Sequence, residues 1–271
     1  SAKNRPHFDP LIVHTYHVNE IHKYVNDIPA LAQGLIESFM PGPLTLLLKK
    51  KELIPDLVTS GLEKVAIRIP SHPIALQLLQ QLDFPLAAPS ANPFGYISPT
   101  TAQHVYDQLQ GEIPYILDGG MADVGVESTI VGFENDEVIV YRLGGITIEE
   151  IERVVKRKVR LEINSSSNPS APGSLKSHYA PTKNLIIGEF DDLIIGKQNT
   201  GVIAFNKYIN GIAEENQILL SETGNLNEAA KNLFAAMRKL DSSNVDEIIA
   251  VKFPDEGLGK AINDRLKRAS T

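Results

Sequence analysis

Cysteine and tryptophan are both absent from the 271-residue sequence. The lack of cysteine excludes disulfide bonds, thiolate zinc sites and a cysteine nucleophile. No apolar run reaches the roughly 20 residues that a membrane-spanning helix needs, and no signal-peptide pattern stands at the beginning. These absences predict a soluble, cytoplasmic protein without thiol chemistry and without a membrane partner.

Several familiar active-site motifs are also missing. The sequence has no G-x-x-x-x-G-K-[ST], no G-x-G-x-x-G and no G-x-S-x-G, and "GLGKAI" near the end lacks the third glycine of a dinucleotide motif. His14 and His17 have no evident third metal donor, so no metal-binding residues are predicted. The net charge of −7 gives no general attraction for a polyanion. A P-loop enzyme, a serine hydrolase and a nonspecific RNA-binding protein are therefore disfavoured.

The residues that are present are typical of a globular α/β protein. Hydrophobic residues make up 42% and charged residues 22%, which provides enough apolar side chains for a buried core. Apolar spacing predicts helices at 19–40 (one or two, around Pro29), 72–83, 99–110 and 147–157. Strands are predicted at "GPLTLLLKK", "KVAIRIP", "PLAAPS" and "YILDGG", followed by a hairpin that turns at Asn135-Asp136.

A stretch rich in Ser, Pro, Asn and Gly, residues 164–183, has no periodicity and is predicted to be a linker. After it, the strands "NLIIGEF", "TGVIAF", "QILL" and "EIIAVKF" alternate with two helices, a pattern typical of a small doubly wound domain. We therefore predict a first domain at 1–163, a linker that also acts as a lid at 164–183 and a second α/β domain at 184–271.

Two pairs of cations are candidates for binding an anion. Lys3 and Arg5 are two residues apart, so in an extended segment they point to one side and could clamp a phosphate or carboxylate. Taken alone, an ordinary surface pair is the simpler interpretation. Lys64 and Arg68 share one face of an otherwise apolar strand, where a charge is costly unless that face lines a wet cavity or an anionic ligand. An ordinary edge-strand arginine explains Arg68 equally well.

Polar residues that follow predicted strands are a second group of candidates. Ser90 and Asn92 stand between prolines directly after a buried strand, where α/β sheets bind ligands, although a simple turn fits equally. Ser98 precedes a proline in the manner of a helix N-cap, and capping alone is the favoured reading. Ser128 begins one hairpin strand and Arg142 ends the other, which ordinary hairpin chemistry also explains.

The "HYAP" tetrapeptide is unexpected in a solvated linker, because a histidine and a tyrosine gain nothing there unless they dock. His178 and Tyr179 therefore either cover a bound ligand as part of a lid or dock for structural reasons alone.

Eight motifs occur in an order and spacing that resemble the Sua5/YrdC family, the L-threonylcarbamoyladenylate synthases. They are "KNRPHFDPLIVH", "PGPLTLLL", "VAIRIPSHP", "PLAAPSAN", "SPTTAQHV", "GVESTIV", "YRLGGIT" and "HYAP", and they cover about residues 3–183. The second block resembles the C-terminal domain of the longer Sua5 form. Its "GLGKAINDRLKRA" segment is a weaker match.

The resemblance implies a fold and a reaction. The fold is a YrdC-like twisted open mixed sheet with helices around a concave cavity, linked to a smaller Rossmann-like α/β domain. The reaction converts L-threonine, bicarbonate and ATP, with Mg²⁺, into threonylcarbamoyl-AMP and pyrophosphate. The product feeds a downstream threonylcarbamoyl-transferase machinery that modifies adenosine 37 of tRNA, so tRNA is only an indirect partner, and the enzyme is expected to be a monomer.

The resemblance also implies roles for particular residues. Lys3 and Arg5 are the catalytic cations. The residues implied to contact ATP are Lys3, Arg5, Asp9, Lys64, Ser90, Asn92, Ser98, Arg142 and Tyr179. The residues implied to hold L-threonine are His14, Arg68, Ala88 and Ser128. The chemistry agrees with these residue types, since a carbamate that attacks the α-phosphorus needs positioned cations and no protein nucleophile.

The sequence departs from the family in two places. Asn4 stands where the K-G-R-P motif has glycine. A strand-loop-helix segment of about 60 residues that the family places ahead of the lysine is not in this sequence, and we expect the native protein to have it, because losing core strands would expose apolar surface.

Two alternatives come from other functional classes. The first is an RNA-binding YrdC-like module without this activity, which the acidic balance and the lack of interleaved basic and aromatic residues disfavour. The second is a carbamoyltransferase of the hydrogenase-maturation type, which would carry zinc-finger cysteines.

Overall fold

The structure is a computed structural model that describes residues 2–163, 178–188 and 199–270. Its elements up to residue 163 are β1 (Ile12–His14), α1 (Val18–Tyr24), α2 (Ala30–Phe39), β2 (Leu44–Lys49), α3 (Asp56–Thr59), β3 (Lys64–Arg68), α4 (Pro73–Gln80), β4 (Leu86–Ala88), α5 (Ala102–Leu109), β5 (Thr129–Glu134), β6 (Glu137–Arg142), α6 (Ile148–Val155) and β7 (Arg160–Leu161). The later elements are β8 (Asn184–Ile187), β9 (Thr200–Ala204), β10 (Gln217–Leu219), α7 (Leu226–Asp241), β11 (Glu247–Ala250) and α8 (Gly259–Ala269).

The chain packs into two compact units. The large-sheet unit comprises Arg5–Pro89 and Glu127–Lys176, and the small-sheet unit comprises Ser1–Asn4, Ser90–Val126 and Ser177–Thr271, each insofar as it is described. Packing therefore groups Ser90–Val126 with the C-terminal residues. The domain limits at 163 and 184 follow chain order and remain a prediction, and most of the predicted linker, 164–177, lies outside the described residues.

The large-sheet unit is built on a mixed sheet with strand order β4-β1-β3-β2-β5-β6-β7. Strand β2 lies near the centre and pairs antiparallel with β3 and parallel with β5. Its run Leu44–Leu48 is buried throughout, as expected of a strand covered on both faces. The predicted hairpin is confirmed as β5 and β6, and its turn residues Asn135 and Asp136 both have positive φ angles, which hairpin turns of this type require.

The small-sheet unit contains a parallel sheet with strand order β10-β9-β11-β8, so the predicted Rossmann-like α/β architecture is confirmed. Helix α7 begins after Asn225, whose side chain accepts hydrogen bonds from two backbone N–H groups of the first turn. The predicted apolar stripe of α7 is buried in the core of this unit, through Ala230, Leu233, Met237 and Leu240.

Three local predictions were wrong. The strand β4, predicted to be buried, is an edge strand whose Ala87 and Ala88 are exposed. The "YILDGG" segment forms no strand, and Tyr115 within it is 88% exposed; it pairs with no strand of the described chain, and a strand needs such pairing for its backbone groups. The helix predicted from residue 99 begins at Ala102 instead, because Thr101 rather than Ser98 is its N-cap and accepts a hydrogen bond from the His104 amide. None of the helices in the described ranges is long and apolar enough to cross a membrane.

Candidate active site

A row of polar side chains crosses one face of the large sheet. His14 on β1 pairs with Arg68 on β3, and Arg68 pairs with Thr45 on β2. Thr45 in turn pairs with Ile130 on β5, which pairs with Arg142 on β6. Paired residues on neighbouring strands point to the same face, so the register brings His14, Arg68 and Thr45 to one side of the sheet. A β-bulge between Ile130 and Val131 shifts the register next to Arg142, whose place in the row is shown by its hydrogen bonds to Ser128.

Ser128 completes this row, immediately before β5. Its hydroxyl lies 2.7 Å from the Thr45 hydroxyl and accepts a hydrogen bond of 3.0 Å from Nη2 of Arg142, whose Nε donates to the Ser128 carbonyl at 3.0 Å. Gly144 lets the chain after β6 pass close by, since a Cβ there would lie 2.3 Å from the Glu127 carbonyl oxygen. Ser128 and Arg142 are both buried, so these groups are held in fixed positions.

Arg68 is the cation of this row best suited to a ligand. Its Nε donates to the Gly42 carbonyl at 3.0 Å, and no carboxylate of the described chain lies within ion-pair distance of its guanidinium. Burial and the neighbouring Arg142 lower the pKa of Arg68 to about 10, against the opposing influence of Glu127. A partly buried arginine beside a second arginine is a favourable partner for an incoming carboxylate.

His14 is neutral at physiological pH. Its Nδ1 lies 3.3 Å from the Leu86 carbonyl, to which it donates, so Nε2 of the neutral ring is left as an acceptor. Burial and the charge of Arg68 lower the pKa of His14 to about 4, although hydrogen bonds to the Leu86 and Ile12 backbone oppose this. The row thus offers a hydrogen-bond acceptor next to a cation.

The low pKa of His14 predicts a loss of stability in acid. Between its unfolded pKa near 6.5 and its folded pKa of about 4, the unfolded chain binds a proton that the folded chain does not. Stability therefore falls as the pH drops through this window, by about 1.4 kcal/mol per unit and about 3 kcal/mol in total, and His14 adds no pH dependence above it. Urea unfolding at pH 7 and pH 4 measures the free energy. The decrease in the free energy of unfolding between pH 7 and pH 4 should be about 3 kcal/mol smaller in His14→Gln than in the unmodified protein. An equal decrease in the two proteins would contradict the low pKa of His14.

The other residues predicted in this unit are placed as follows. Arg5 donates through Nη2 to the Pro10 carbonyl at 2.6 Å and forms a 2.8 Å ion pair with the buried Asp9, so Asp9 orients Arg5. Nε of Arg5 is buried and has no hydrogen-bond partner among the residues described. Lys64 forms a 2.6 Å ion pair with Glu134 at the opposite end of β3 from Arg68. Ala88 is exposed on the edge strand β4.

In the small-sheet unit, Lys3 lies against the predicted S-x-N motif. Its Nζ donates to the carbonyls of Ser90 at 2.6 Å and Asn92 at 2.5 Å, and its own carbonyl accepts from the Phe94 amide. Asn92 is buried, and its Nδ2 donates to the carbonyls of Pro93 and Tyr96. Its Oδ1 is buried without a hydrogen-bond partner in the described parts of the chain, so it is an acceptor that a ligand can use.

The "HYAP" segment is docked in the core of the same unit. Tyr179 is 1% exposed, its ring stacks on Phe234 at 5.4 Å, and the Arg265 guanidinium lies 5.1 Å from the ring centre. The His178 ring lies 4.1 Å from that of Tyr179, and the Ala180 amide donates to a backbone carbonyl at Gly95. Contact of Tyr179 with a nucleotide stays a prediction, because its ring contacts His178, Phe234 and Arg265.

This packing predicts a structural cost for removing the Tyr179 ring, in contrast to the lid hypothesis, which expects almost none. Tyr179→Ala should lower the free energy of unfolding by about 3 to 5 kcal/mol, as for other buried aromatic rings. Tyr179→Phe keeps the ring, so it should lower the free energy of unfolding by less than half as much as Tyr179→Ala. Urea unfolding of both variants measures the difference, and an alanine variant as stable as the unmodified protein would show that the ring is not part of the core.

Sequence reasoning missed three side chains: Thr45 of the polar row, and Arg238 and Asp241 on α7, which bind the Ser98 carbonyl and the Tyr96 hydroxyl. Thr45 had a detectable signal, since it is the one polar residue within the apolar run of β2. Arg238 and Asp241 on α7 had none, because charged residues near the end of a helix ordinarily face solvent. No group of three or more His, Asp or Glu side chains able to hold a metal ion occurs in the parts of the chain described.

Comparison with known proteins identifies the family. A family model described as "Telomere recombination" matches residues 1–144, and one described as "Threonylcarbamoyl-AMP synthase, C-terminal domain" matches residues 146–271. Threonylcarbamoyl-AMP synthases of Pyrococcus abyssi and Bacillus subtilis are each 38% identical over 99% of this chain, which covers 82% and 81% of those proteins.

A solved structure agrees with these matches. The crystal structure of P. abyssi Sua5 complexed with L-threonine superposes with a TM-score of 0.91 at 38% identity, over 99% of this chain and 82% of that one. The chain therefore belongs to the threonylcarbamoyl-AMP synthase family, in the long Sua5 form that carries the C-terminal domain.

Proposed function

We propose that this enzyme converts L-threonine, bicarbonate and ATP into threonylcarbamoyl-AMP and pyrophosphate. The observation that carries the proposal is the polar row of His14, Arg68, Thr45 and Ser128 in a chain that matches threonylcarbamoyl-AMP synthases along its whole length. A threonine complex of the P. abyssi relative supports the same substrate class.

The polar row suits the three polar groups of L-threonine. We assign the Arg68 guanidinium to the carboxylate, since a planar fork of N–H donors matches two carboxylate oxygens. The neutral His14 presents Nε2 as an acceptor for the hydroxyl or amine. Ser128, fixed by Thr45 and Arg142, supplies a hydroxyl that either donates or accepts.

The remaining cations suit the nucleotide. We assign Lys3 and Arg5 to the phosphates, Asn92 Oδ1 to a donor group of the nucleotide, and Ser90, Ser98 and Arg142 to supporting ATP contacts. Asp9 acts through Arg5, which it orients. We also assign Lys64 and Tyr179 to ATP and Ala88 to L-threonine.

The chemistry needs positioning and charge neutralisation. The threonine amine attacks CO₂ supplied by bicarbonate, and loss of a proton gives a carbamate. A carbamate oxygen then attacks the α-phosphorus of ATP, the bond to the β-phosphate oxygen breaks, and pyrophosphate leaves with the negative charge. Fixed cations such as Lys3 and Arg5 stabilise that charge, and no residue of the enzyme needs to form a covalent bond.

Mg²⁺ would be held in this reaction mainly by phosphate oxygens and water, its usual mode of binding to nucleotides. The described residues present no cluster of three potential metal ligands, so they fit an ion held through the phosphates of ATP and not one held by protein side chains alone. When bound, the ion would neutralise charge on the triphosphate.

The product is a mixed anhydride of a carbamate and a phosphate, so an acyl-transferring enzyme must consume it before water does. From the family to which the chain belongs, we propose that the acceptor is adenosine 37 of tRNA. We propose that the enzyme works in the cytoplasm as a monomer, that residues 1–163 and 184–271 act as catalytic and accessory domains, and that tRNA meets only the downstream machinery.

Pyrophosphate release tests the activity. We expect release that requires L-threonine, bicarbonate and ATP together and that falls to background when any one is left out. Release from ATP alone at the same rate would contradict the proposed reaction, because it would indicate simple nucleotide hydrolysis.

A further inference from the structure

The segment from Ser90 to Ser98 has little regular structure of its own. It contains neither a helix nor a strand, and Tyr96 forms only an isolated bridge with Ala180. A few backbone hydrogen bonds hold it, from the Phe94 amide to the Lys3 carbonyl and from the Ala180 amide to the Gly95 carbonyl. Side chains add further contacts, and two of these side chains come from α7 in the same unit.

Arg238 binds one end of this segment. Its guanidinium donates through Nη2 to the Ile97 carbonyl and through Nε to the Ser98 carbonyl at 3.2 Å, and Nη2 also lies 2.9 Å from Oε1 of Gln108 on α5. The guanidinium carbon lies 5.0 Å from the centre of the Tyr96 ring. Arg238 is only 8% exposed, so it is a buried cation whose N–H groups donate hydrogen bonds to the backbone of a loop.

Asp241, one turn later on α7, binds the side chain of the preceding residue of the segment, Tyr96. Its Oδ2 accepts a 2.6 Å hydrogen bond from the Tyr96 hydroxyl, and its Oδ1 accepts from the Thr182 hydroxyl and the Lys183 amide. Burial and this hydrogen bond raise the pKa of Tyr96, so the phenol keeps its proton throughout the physiological range.

These anchors connect directly to the residues assigned to ATP. The Tyr96 carbonyl accepts from Nδ2 of Asn92, and Nζ of Lys3 binds the carbonyls of Ser90 and Asn92. A chain of hydrogen bonds thus runs from Asp241 through Tyr96 and Asn92 to Lys3, within one compact unit. Replacing a buried charged residue by an apolar side chain of similar volume is often neutral or stabilising, so stability alone gives little reason for a buried arginine at position 238.

We propose that α7 is the positioning element of the nucleotide-binding segment, and that Arg238 and Asp241 determine ATP affinity by fixing the backbone of Tyr96, Ile97 and Ser98. The inference rests on the proposed function, since it assumes that Ser90, Asn92 and Ser98 serve ATP. It assigns the C-terminal part of the chain a role in ATP binding that requires no contact between α7 and a substrate.

The test is the equilibrium dissociation constant of an ATP analogue with a non-hydrolysable α,β-linkage, measured for Arg238→Met, Arg238→Lys and, as the matched control, Lys239→Met, an exposed neighbour on α7. We expect binding at least tenfold weaker in Arg238→Met, partial recovery in Arg238→Lys and no change in the control. L-threonine affinity should change less than twofold. Hydrogen exchange of the amides from Phe94 to Ser98 should become faster without any substrate present.

Unchanged ATP affinity in Arg238→Met would overturn the inference, whether or not hydrogen exchange of this segment becomes faster. An equal loss of ATP and threonine affinity would also overturn it, because it indicates general destabilisation. If Arg238→Met does not fold, Asp241→Asn and Tyr96→Phe replace it as test variants. Each should weaken binding of the ATP analogue. The double variant should bind the analogue as tightly as the weaker-binding single variant does. Additive effects would then overturn it. A failed proposed function is recognised separately, because Lys3→Ala would then leave the dissociation constant of the ATP analogue unchanged.

Discussion

Replacing Arg68 with alanine should raise the KM for L-threonine by about 30-fold or more and leave the KM for ATP within threefold. Truncating one partner of a buried, hydrogen-bonded charge pair costs about 2 to 5 kcal/mol, and each 1.4 kcal/mol is a factor of ten. Steady-state pyrophosphate release with each substrate varied in turn measures both constants.

Stability separates this effect from misfolding. Arg68 lies beside Arg142 and has no carboxylate in ion-pair distance among the residues described, so Arg68→Ala should unfold at a urea concentration no lower than the unmodified protein. Arg160→Ala is the matched control, since that arginine forms exposed ion pairs with Glu134 and Glu137 and should change neither KM. An Arg68→Ala enzyme with an unchanged KM for L-threonine would refute the carboxylate assignment.

Replacing Lys3 with alanine should lower kcat by about 10²- to 10³-fold. This is the typical cost of removing one preorganised group that stabilises developing charge, here the charge on departing pyrophosphate. The substitution also releases the carbonyls of Ser90 and Asn92, so binding of the ATP analogue should weaken as well. Single-turnover measurements with saturating substrates give the rate of the chemical step.

Lys158→Ala is the matched control for Lys3, because the Lys158 side chain is 91% exposed and its ion pair with Glu152 lies at the surface. L-threonine affinity should stay within twofold in both lysine variants. A Lys3→Ala enzyme whose chemical step runs within threefold of the unmodified rate would show that Lys3 does not act on the phosphates.

The features of the fold that depend on local periodicity were predictable. Strand β3 was recognised from its alternating apolar residues, and the same alternation marked Arg68 as a cation on a buried strand. The turn at Asn135 and Asp136 was equally clear, because the chemistry of a two-residue hairpin is local.

The failures arose where two local signals competed or where the partner is distant in sequence. Ser98 and Thr101 are both plausible N-caps, and only the observed hydrogen bond to the His104 amide decides for Thr101. Tyr115 lies in a stretch whose residues have high strand propensity. Propensity alone does not make a strand, because a neighbouring strand must also be in place to pair with it.

Distance in sequence hid the remaining contacts. Arg238 binds Ile97 and Ser98 across about 140 positions, so no window along the chain reveals the contact. Tyr179 was correctly expected to dock, yet its partners Phe234 and Arg265 follow from the tertiary packing alone.

Mass spectrometry of the product formed from ATP, L-threonine and ¹³C-labelled bicarbonate tests the central claim most directly. The account predicts a nucleotide product with the mass of threonylcarbamoyl-AMP that becomes one mass unit heavier with the label, formed in a one-to-one ratio with pyrophosphate. Pyrophosphate with unlabelled AMP as the only nucleotide product, even when the reaction is quenched at its earliest times, would contradict it.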